Sequence, residues 1–259
     1  MTSLKLSLAL AALAASTSLA AAAPVVGLTG DATLVMFDTE NPAVTGTMEV
    51  TGVERLHGID VRPADGMIYG VTGDNKIVSI NAETGEATEV STLATEVPMA
   101  DSVAVDFNPV ADRLRIVSGT TNLRVNVDSG EVTTDGALAF ETDDENASAT
   151  SDVVAVAYTN SVGKPEATKM YDLDAGLGAL LQQTAPNDGT LATIGDLGIE
   201  GATTHAFDIH ATAVDANMAY LAAGGSLYTV DLESGTATEV GEITGADGDI
   251  RDIAVMSAM

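Results

Sequence analysis

The chain has 259 residues, no cysteine, and 38 Asp plus Glu against 10 Lys plus Arg, which gives a formal net charge of −28. The lack of thiols excludes disulfides, thiol catalysis and thiolate metal sites. The charge excludes ordinary nucleic-acid binding, because phosphates need a basic surface, and it disfavours anionic lipid surfaces.

The first residues predict a secretory signal peptide. An apolar run and then four alanines follow Lys5, which is the usual order of the parts of such a peptide. We predict a signal peptide over residues 1–23, cleaved between Ala20 and Pro24, and a single domain over 24–259 exported to the periplasm or the extracellular space. A retained N-terminal anchor helix is the alternative. No later apolar run reaches the about 20 residues of a membrane span, so none is expected in the mature chain.

One short segment recurs five times along the rest of the chain, and each copy begins with an apolar residue followed by Asp or Asn. These polar residues are Asp38, Asn81, Asn126, Asp172 and Asp231. Four of the copies then reach a glycine. An Asp or Asn side chain can accept hydrogen bonds from turn amides, and glycine adopts the positive φ that closes a short hairpin. The pattern predicts a strand, a tight turn and a second strand.

A second strand–turn–strand element precedes four of these copies, starting at His57, Val103, Val154 and His205. The two elements together make a four-stranded unit. The N-terminal unit lacks its first strand, whereas the C-terminal "DIRDIAVM" matches only that strand. An all-β β-propeller with five four-stranded blades, closed by pairing of the N- and C-terminal strands, accounts for both observations. Six blades, if "QQTAPNDGTLATIGDLGIEG" adds strands of its own, and an open β-solenoid are the alternatives.

Several stretches resemble a known bacterial family. "DFNPVADRLRIVSGTTNLRVNVDSGEVTTDG", "AVAYTN", "PNDGTLATIGDLG" and "LYTVDLESGTATEVG" are similar to the domain of unknown function 4394 family, and the likeness extends from about Val25 to Met256. It implies an exported β-propeller-like domain. The family has no assigned activity, so the resemblance assigns no role to any residue.

Five residues are candidates for the central channel of the propeller. Asp60, Asp106 and Asp208 recur on the predicted innermost strands, and Ala157 stands at the same place in the fourth unit; the candidate histidines, His57 and His205, each lie three residues before one of these aspartates. Paired carboxylates can divide acid and base roles. The structural interpretation is that each aspartate caps the amides of the turn that follows it.

Metal and cofactor signals are weak. Strand alternation sends His205 and His210 to opposite faces, so they cannot grip one ion. "DLDAG" at Asp172 and "DGD" at Asp247 are only fragments of a calcium loop. No cofactor is therefore predicted, and calcium is kept as an alternative.

Arg113, Arg115 and Arg124 concentrate scarce positive charge on one predicted hairpin, which turns at Gly119-Thr120. This turn places Arg115 directly opposite Arg124, where like charges repel unless an anion lies between them. A bound carboxylate or phosphate is one candidate, since guanidinium groups suit both. The other is an internal counter-ion that ties neighbouring blades together, with nearby candidates Asp101, Asp106 and Asp112.

Two functions from different classes are compatible with these features. The first is a non-enzymatic module that binds an unidentified small molecule or protein, or acts as a scaffold. The second is a hydrolase or lactonase-like enzyme that uses the channel carboxylates, with or without calcium. Convergence of Asp60, Asp106 and Asp208 within hydrogen-bond reach of one another, around an open pocket, would favour the second.

Overall fold

Five four-stranded antiparallel blades form the fold. The structure, a computed structural model, describes residues 22–98 and 102–256. All the regular secondary structure in these residues is β-strand. From the channel outward, the first blade contains β21 (Ile250–Val255), β1 (Pro24–Thr29), β2 (Thr33–Asp38) and β3 (Gly46–Glu49). The second contains β4 (Leu56–Val61), β5 (Ile68–Thr72), β6 (Lys76–Ile80) and β7 (Ala87–Thr92).

The other three blades follow in chain order. The third contains β8 (Ala104–Asn108), β9 (Arg113–Ser118), β10 (Thr121–Asn126) and β11 (Glu131–Thr134). The fourth contains β13 (Val153–Tyr158), β14 (Met170–Asp174), β15 (Ala179–Ala185) and β16 (Thr190–Asp196), with β12 (Ala139–Phe140) added in parallel at its outer edge. The fifth contains β17 (His205–Ala213), β18 (Ala216–Ala223), β19 (Ser226–Val230) and β20 (Ala237–Glu242).

The two ends of the chain meet in the first blade. Strand β21 pairs antiparallel with β1, and Val25 lies opposite Val255. This pairing gives the N-terminal unit its missing innermost strand and confirms the predicted five-bladed closed propeller. The six-bladed alternative is wrong, because the long 182–201 segment contains the end of β15 and the whole of β16, which both belong to the fourth blade.

The repeated Asp or Asn caps the turn between the two outer strands of a blade, as predicted for most copies. Asn81 Oδ1, for example, accepts hydrogen bonds from the backbone amides of Glu83 at 2.8 Å and Thr84 at 3.0 Å. The fourth unit differs. There the repeat segment covers the turn between the two middle strands, β14 and β15. Asp174 accepts the amide of Leu177 in that turn at 2.9 Å, so the prediction that Asp172 caps an outer turn was wrong.

The apolar core is divided among the junctions between blades. Five clusters of buried residues can be distinguished in the described ranges, one at each junction. At the junction of the second and third blades, the Tyr69 and Phe107 rings meet edge to face with centroids 5.4 Å apart. Packing therefore couples each blade to the next, so the stability of one blade depends on its neighbours.

Candidate functional site

The innermost strands β4, β8, β13, β17 and β21 contact one another around the central channel. They bring together Asp60, Asp106 and Asp208, each of which offers one carboxylate oxygen within 4.8 Å of the other two. All three are at least 93% buried. The aspartates singled out from the sequence thus meet in space, although they come from three blades.

Each channel aspartate is hydrogen-bonded to the backbone of the next blade. Phe107 N donates to Asp60 Oδ2 at 2.7 Å, and Tyr158 N donates to Asp106 Oδ1 at 3.1 Å. Val255 N donates to Asp208 Oδ2 at 2.5 Å. Hydrogen bonds between a buried carboxylate and backbone N–H groups lower the free-energy cost of burying both partners. These aspartates join adjacent blades, rather than capping the turns that follow them.

A fourth aspartate, Asp252, makes the same kind of contact between the first and second blades. Ile59 N donates to Asp252 Oδ2 at 2.8 Å. The carboxylate fits because the neighbouring residue is Gly58: a Cβ there would lie 2.8 Å from Asp252 Oδ2. Asp252 stands two positions before Ala254, the residue that aligns with the other aspartates, so the sequence repeat did not mark Asp252 as a channel residue.

The junction of the fourth and fifth blades has alanine, Ala157, at the aspartate position. An asparagine just beyond β13 links these blades instead. Asn160 Oδ1 accepts the amide of Asp215 at 2.7 Å, and Asn160 N donates to Asn217 Oδ1 at 2.7 Å. Hydrogen bonds between polar side chains and backbone groups therefore join adjacent blades at all five junctions of the ring.

Burial raises the pKa of every channel carboxyl. The pKa of Asp208 rises to about 6 for this reason, against backbone hydrogen bonds that lower it. The pKa values of Asp60 and Asp106 are raised by burial and then by repulsion from the neighbouring aspartates. Three carboxylate oxygens fall short of the six to eight ligands that calcium takes, and each of these carboxylates also accepts a backbone amide. Calcium in the channel stays an untested alternative to the prediction of no cofactor.

Cavities lie at both mouths of the channel. The one at the ends of the innermost strands has a volume of about 340 Å³, and Asp60, Asp208 and His210 line it. The one at the starts of these strands has a volume of about 160 Å³, and His57 and His205 both line it. The two candidate histidines thus share a cavity, whereas His205 and His210 belong to different ones. We call the smaller cavity the histidine mouth.

Two arginines accompany the histidines at this mouth. Arg55 and Arg251 line it together with Ser102, Thr203 and Thr204. Burial lowers the pKa of His57, and the positive charges of Arg55 and Arg251 lower it further. Burial also lowers the pKa of His205. Both imidazoles are therefore neutral at pH 7, and each offers one N–H donor and one acceptor nitrogen.

Residues 33–254 match a family described as a domain of unknown function, DUF4394. The chain belongs to the DUF4394 family. This confirms the resemblance of the repeat segments. No curated protein matches the sequence.

Solved structures of other proteins are similar to this DUF4394 domain in fold. An auxiliary nutrient binding protein from Bacteroides thetaiotaomicron VPI-5482 is 13% identical, with a TM-score of 0.51 over 88% of this chain and 58% of that chain. Another auxiliary nutrient binding protein, from Bacteroides ovatus, is 12% identical, with a TM-score of 0.49 over 88% and 58%. A protein of unknown function from Bacteroides caccae is 13% identical, with a TM-score of 0.44 over 83% and 72%. The chain spans little more than half the length of the two nutrient binding proteins.

Within the described part of the DUF4394 domain, no helix is both long and apolar enough to cross a bilayer. The predicted signal peptide lies almost entirely in residues 1–21, outside the described residues.

The arginine hairpin is built around one aspartate. Arg115 and Arg124 lie directly opposite each other on β9 and β10. Both bind Asp135: Arg115 Nη1 at 2.6 Å, Arg124 Nε at 2.6 Å and Arg124 Nη2 at 2.9 Å. Burial alone would raise the pKa of Asp135, but hydrogen bonds from Arg124 and Arg115 lower it below its ordinary value. Arg113 lies apart and donates to the backbone carbonyls of Ala111 and Asp112.

Arg115 also reaches the fourth blade. It is only 1% exposed, and its other donors meet Tyr158 Oη at 3.1 Å, Asn122 Oδ1 at 2.7 Å and Asn187 Oδ1 at 3.3 Å. The counter-ion is internal, but it is none of the three candidates drawn from the sequence. Asp106 lies in the channel, Asp112 pairs with Arg62, and Asp101 falls outside the described residues.

We expect Arg115→Met to destabilise the domain by about 3 kcal/mol and Arg124→Met by about 1 kcal/mol, the range for leaving hydrogen-bond partners unsatisfied. Arg115 has more partners and deeper burial, which is why its effect is larger. Urea unfolding followed by circular dichroism measures both. Arg113→Met is the control and should change stability by less than about 0.5 kcal/mol. Equal, small effects for all three variants would contradict a structural role for Asp135.

Arg62 is a second structural arginine, and it was not predicted from the sequence. Its guanidinium binds Asp112 at 2.6 Å and Asp128 at 2.9 Å, and its Cζ lies 5.6 Å from the centre of the Tyr69 ring. These bonds raise the pKa of Arg62 above its usual value. The aspartates belong to the third blade, so Arg62 ties the second blade to it. No local motif marks this arginine, because its partners lie 50 and 66 residues away.

Proposed function

We propose that this DUF4394 domain is an exported, non-enzymatic module that binds a small ligand at the histidine mouth. The observation that carries the proposal is the convergence of His57 and His205, from the second and fifth blades, on one cavity with Arg55 and Arg251. Side chains that donate hydrogen bonds, accept hydrogen bonds or carry positive charge are therefore concentrated at one end of the channel. Such a concave site with a few convergent polar groups is the usual form of a small-molecule site.

The channel carboxylates support a binding role over a catalytic one. A general acid or base must lie within hydrogen-bond reach of its substrate, whereas these side chains are directed at backbone amides of the propeller. Asp60, Asp208 and Asp252 each accept backbone amides with both carboxylate oxygens. One amide comes from the neighbouring blade and the other from the next residue of the same strand. These groups are occupied in holding the ring together. The name of one structure of similar fold, an auxiliary nutrient binding protein, agrees with a binding role.

Export to the periplasm or the extracellular space is part of the proposal. It rests on the order of charged, apolar and small residues before Pro24. The exported protein is expected to begin between Ala20 and Pro24, which intact-mass spectrometry of secreted or periplasmic protein measures. An exported form that retains residues 1–20 would contradict signal cleavage.

A thermal-shift screen with sugars, amino acids, carboxylates and inorganic oxyanions tests ligand binding. At 100 times its Kd a ligand stabilises the folded state by about 2.7 kcal/mol, so at least one compound class should raise the Tm of the wild type. Thr203→Trp fills the histidine mouth from an exposed position and should abolish the shift. Thr88→Trp, on the outermost strand of the second blade, is the matched control and should keep it.

Two results would overturn this proposal. One is a screen in which no compound raises the Tm, or in which Thr203→Trp responds like the wild type. The other is recovery of the active compound in altered form by mass spectrometry, with the conversion lost in Asp60→Asn, which would support the hydrolase alternative.

A further inference from the structure

We infer that the ligand of the histidine mouth is a short monocarboxylate, an inference that rests on the proposed function. The first reason is the distribution of charge. The chain has 10 Lys plus Arg and three histidines, and two of the arginines and two of the histidines line this one cavity. The protein has a formal charge of −28, and four other cavities of the described residues do not combine arginine with histidine.

Arg251 is the second reason, because its charge is not neutralised by an ion pair within the described residues. Its donors meet the backbone carbonyls of Gly30 at 2.8 Å and Leu56 at 3.0 Å, with Asp31 O at 3.5 Å. Burial lowers the pKa of Arg251, and repulsion from Arg55 lowers it further. Carbonyl groups hold the side chain in place without cancelling its charge. A bound anion would do so.

The charge balance of the cavity fits one negative charge. Arg55 is paired with the Asp31 carboxylate, which leaves Arg251 as the unneutralised cation. Asp252 lies beside Arg251, but burial raises the pKa of its carboxyl well above the ordinary value. The nearby charge of the exposed Asp152 raises the pKa of His205, against burial that lowers it. Arg251 is thus the one guanidinium lining the mouth that has no carboxylate bound to it among the described residues, and one such group suits a monoanion better than a dianion such as phosphate.

The size and the remaining lining define the rest of the ligand. A volume of about 160 Å³ is below the about 300 Å³ of a drug-sized pocket, so the ligand has few atoms. Apolar groups of Val103, Val154 and Ala175 form part of the wall and can cover a short carbon chain. The hydroxyls of Ser102, Thr203 and Thr204 can hydrogen-bond the carboxylate or a hydroxyl group next to it.

Calorimetric titration of the full mature chain with sodium butyrate, sodium lactate, butyramide and inorganic phosphate, at matched ionic strength, tests the inference. We expect butyrate or lactate to bind, butyramide to bind at least tenfold more weakly because it lacks the charge, and phosphate to bind more weakly than either carboxylate. Arg251→Met should weaken carboxylate binding at least tenfold. Arg251→Lys, which keeps the charge but loses the planar fork, should weaken it less. Arg113→Met removes an equivalent charge held by backbone carbonyls elsewhere and should leave binding unchanged.

The possible failures are distinguishable. Tighter binding of phosphate, or of butyramide, than of both carboxylates would overturn the ligand class while leaving the histidine mouth as the binding site. Equal carboxylate binding by wild type and both Arg251 variants, each shown to be folded by its Tm, would also overturn it. Binding of the carboxylates that is equally tight in the wild type and in Thr203→Trp would place the ligand outside the histidine mouth and would overturn the proposed function as well.

Discussion

A chain that lacks residues 249–259 is expected to lose cooperative folding. Strand β21 is the innermost strand of the first blade, and Ile250, Ile253 and Val255 are at most 7% exposed. Burial of one such side chain contributes about 1.5–3 kcal/mol, so these three contribute about 5–9 kcal/mol. That is comparable with the about 5–15 kcal/mol by which a whole domain is stabilised.

The deletion also removes two of the contacts that close the ring. Asp252 no longer accepts the amide of Ile59, and Asp208 loses the amide of Val255. Thermal unfolding followed by circular dichroism should show a broad transition at much lower temperature, and a synthetic peptide of residues 249–259 should restore the sharp one. A chain that ends at Met256 keeps all of β21 and is the control. An unchanged midpoint in the longer deletion would contradict closure of the propeller by β21.

Asp172→Asn is expected to stabilise the domain at alkaline pH. Asp172 is fully buried at the junction of the third and fourth blades, and Gln183 Nε2 donates to its Oδ2 at 2.9 Å. Asp172 Oδ1 and Gln183 Oε1 have no hydrogen-bond partner among the described residues. An asparagine could still accept from Gln183, and its own amide could donate to Gln183 Oε1. The substitution satisfies an orphaned acceptor and removes a buried charge.

The sign of the pH dependence follows from the pKa. Burial raises the pKa of Asp172 from 3.8 to about 7, so between these values the folded state holds a proton that the unfolded state has lost. Stability is therefore full below about pH 4 and falls as the pH rises through 7, by about 4 kcal/mol for a shift of this size. The raised pKa of Asp208, about 6, acts in the same direction. We expect Asp172→Asn to exceed the wild type by up to about 4 kcal/mol at pH 8 and to lose this advantage by pH 4.

Urea unfolding at pH 4, 6 and 8 measures the difference. Asp174→Asn, two residues away, is the matched control: its carboxylate accepts the amides of Leu177 and Asp152, and loss of one acceptor should destabilise rather than stabilise. An Asp172→Asn variant that is less stable than wild type at pH 8 would contradict the account of this buried carboxyl.

The repeat made the architecture predictable, because strand and turn signals are local in sequence. The Asn or Asp before each outer turn, the glycine that follows and the Gly119-Thr120 hairpin all depend on neighbouring residues. The error at Asp172 arose because the fourth copy of the segment covers the turn between β14 and β15, which is one strand earlier in its blade than the turns of the other copies. A similar local sequence cannot show which of the turns of a blade it forms.

The partners of charged residues were harder to predict, since they are set by packing between blades. Asp135 was not considered for Arg115, although it lies only 20 residues away, because its approach depends on the course of the chain after β11. Asp252 was missed because it lies two residues before the position of the other channel aspartates. It fits there only because the neighbouring Gly58 has no side chain. Arg55 and Arg251 carry no motif, and only the ring geometry brings them to the histidines.

Imidazole ¹H–¹⁵N correlation spectra during a ligand titration test the central claim most directly, because the three histidines report on the two mouths of the channel. His57 and His205 line one mouth, and His210 lines the other. With the compound identified in the thermal-shift screen, the account predicts that the ring signals of His57 and His205 shift together and saturably while those of His210 stay unchanged. Shifts confined to His210, or none at all with a compound that demonstrably binds, would contradict the assignment of the histidine mouth as the binding site.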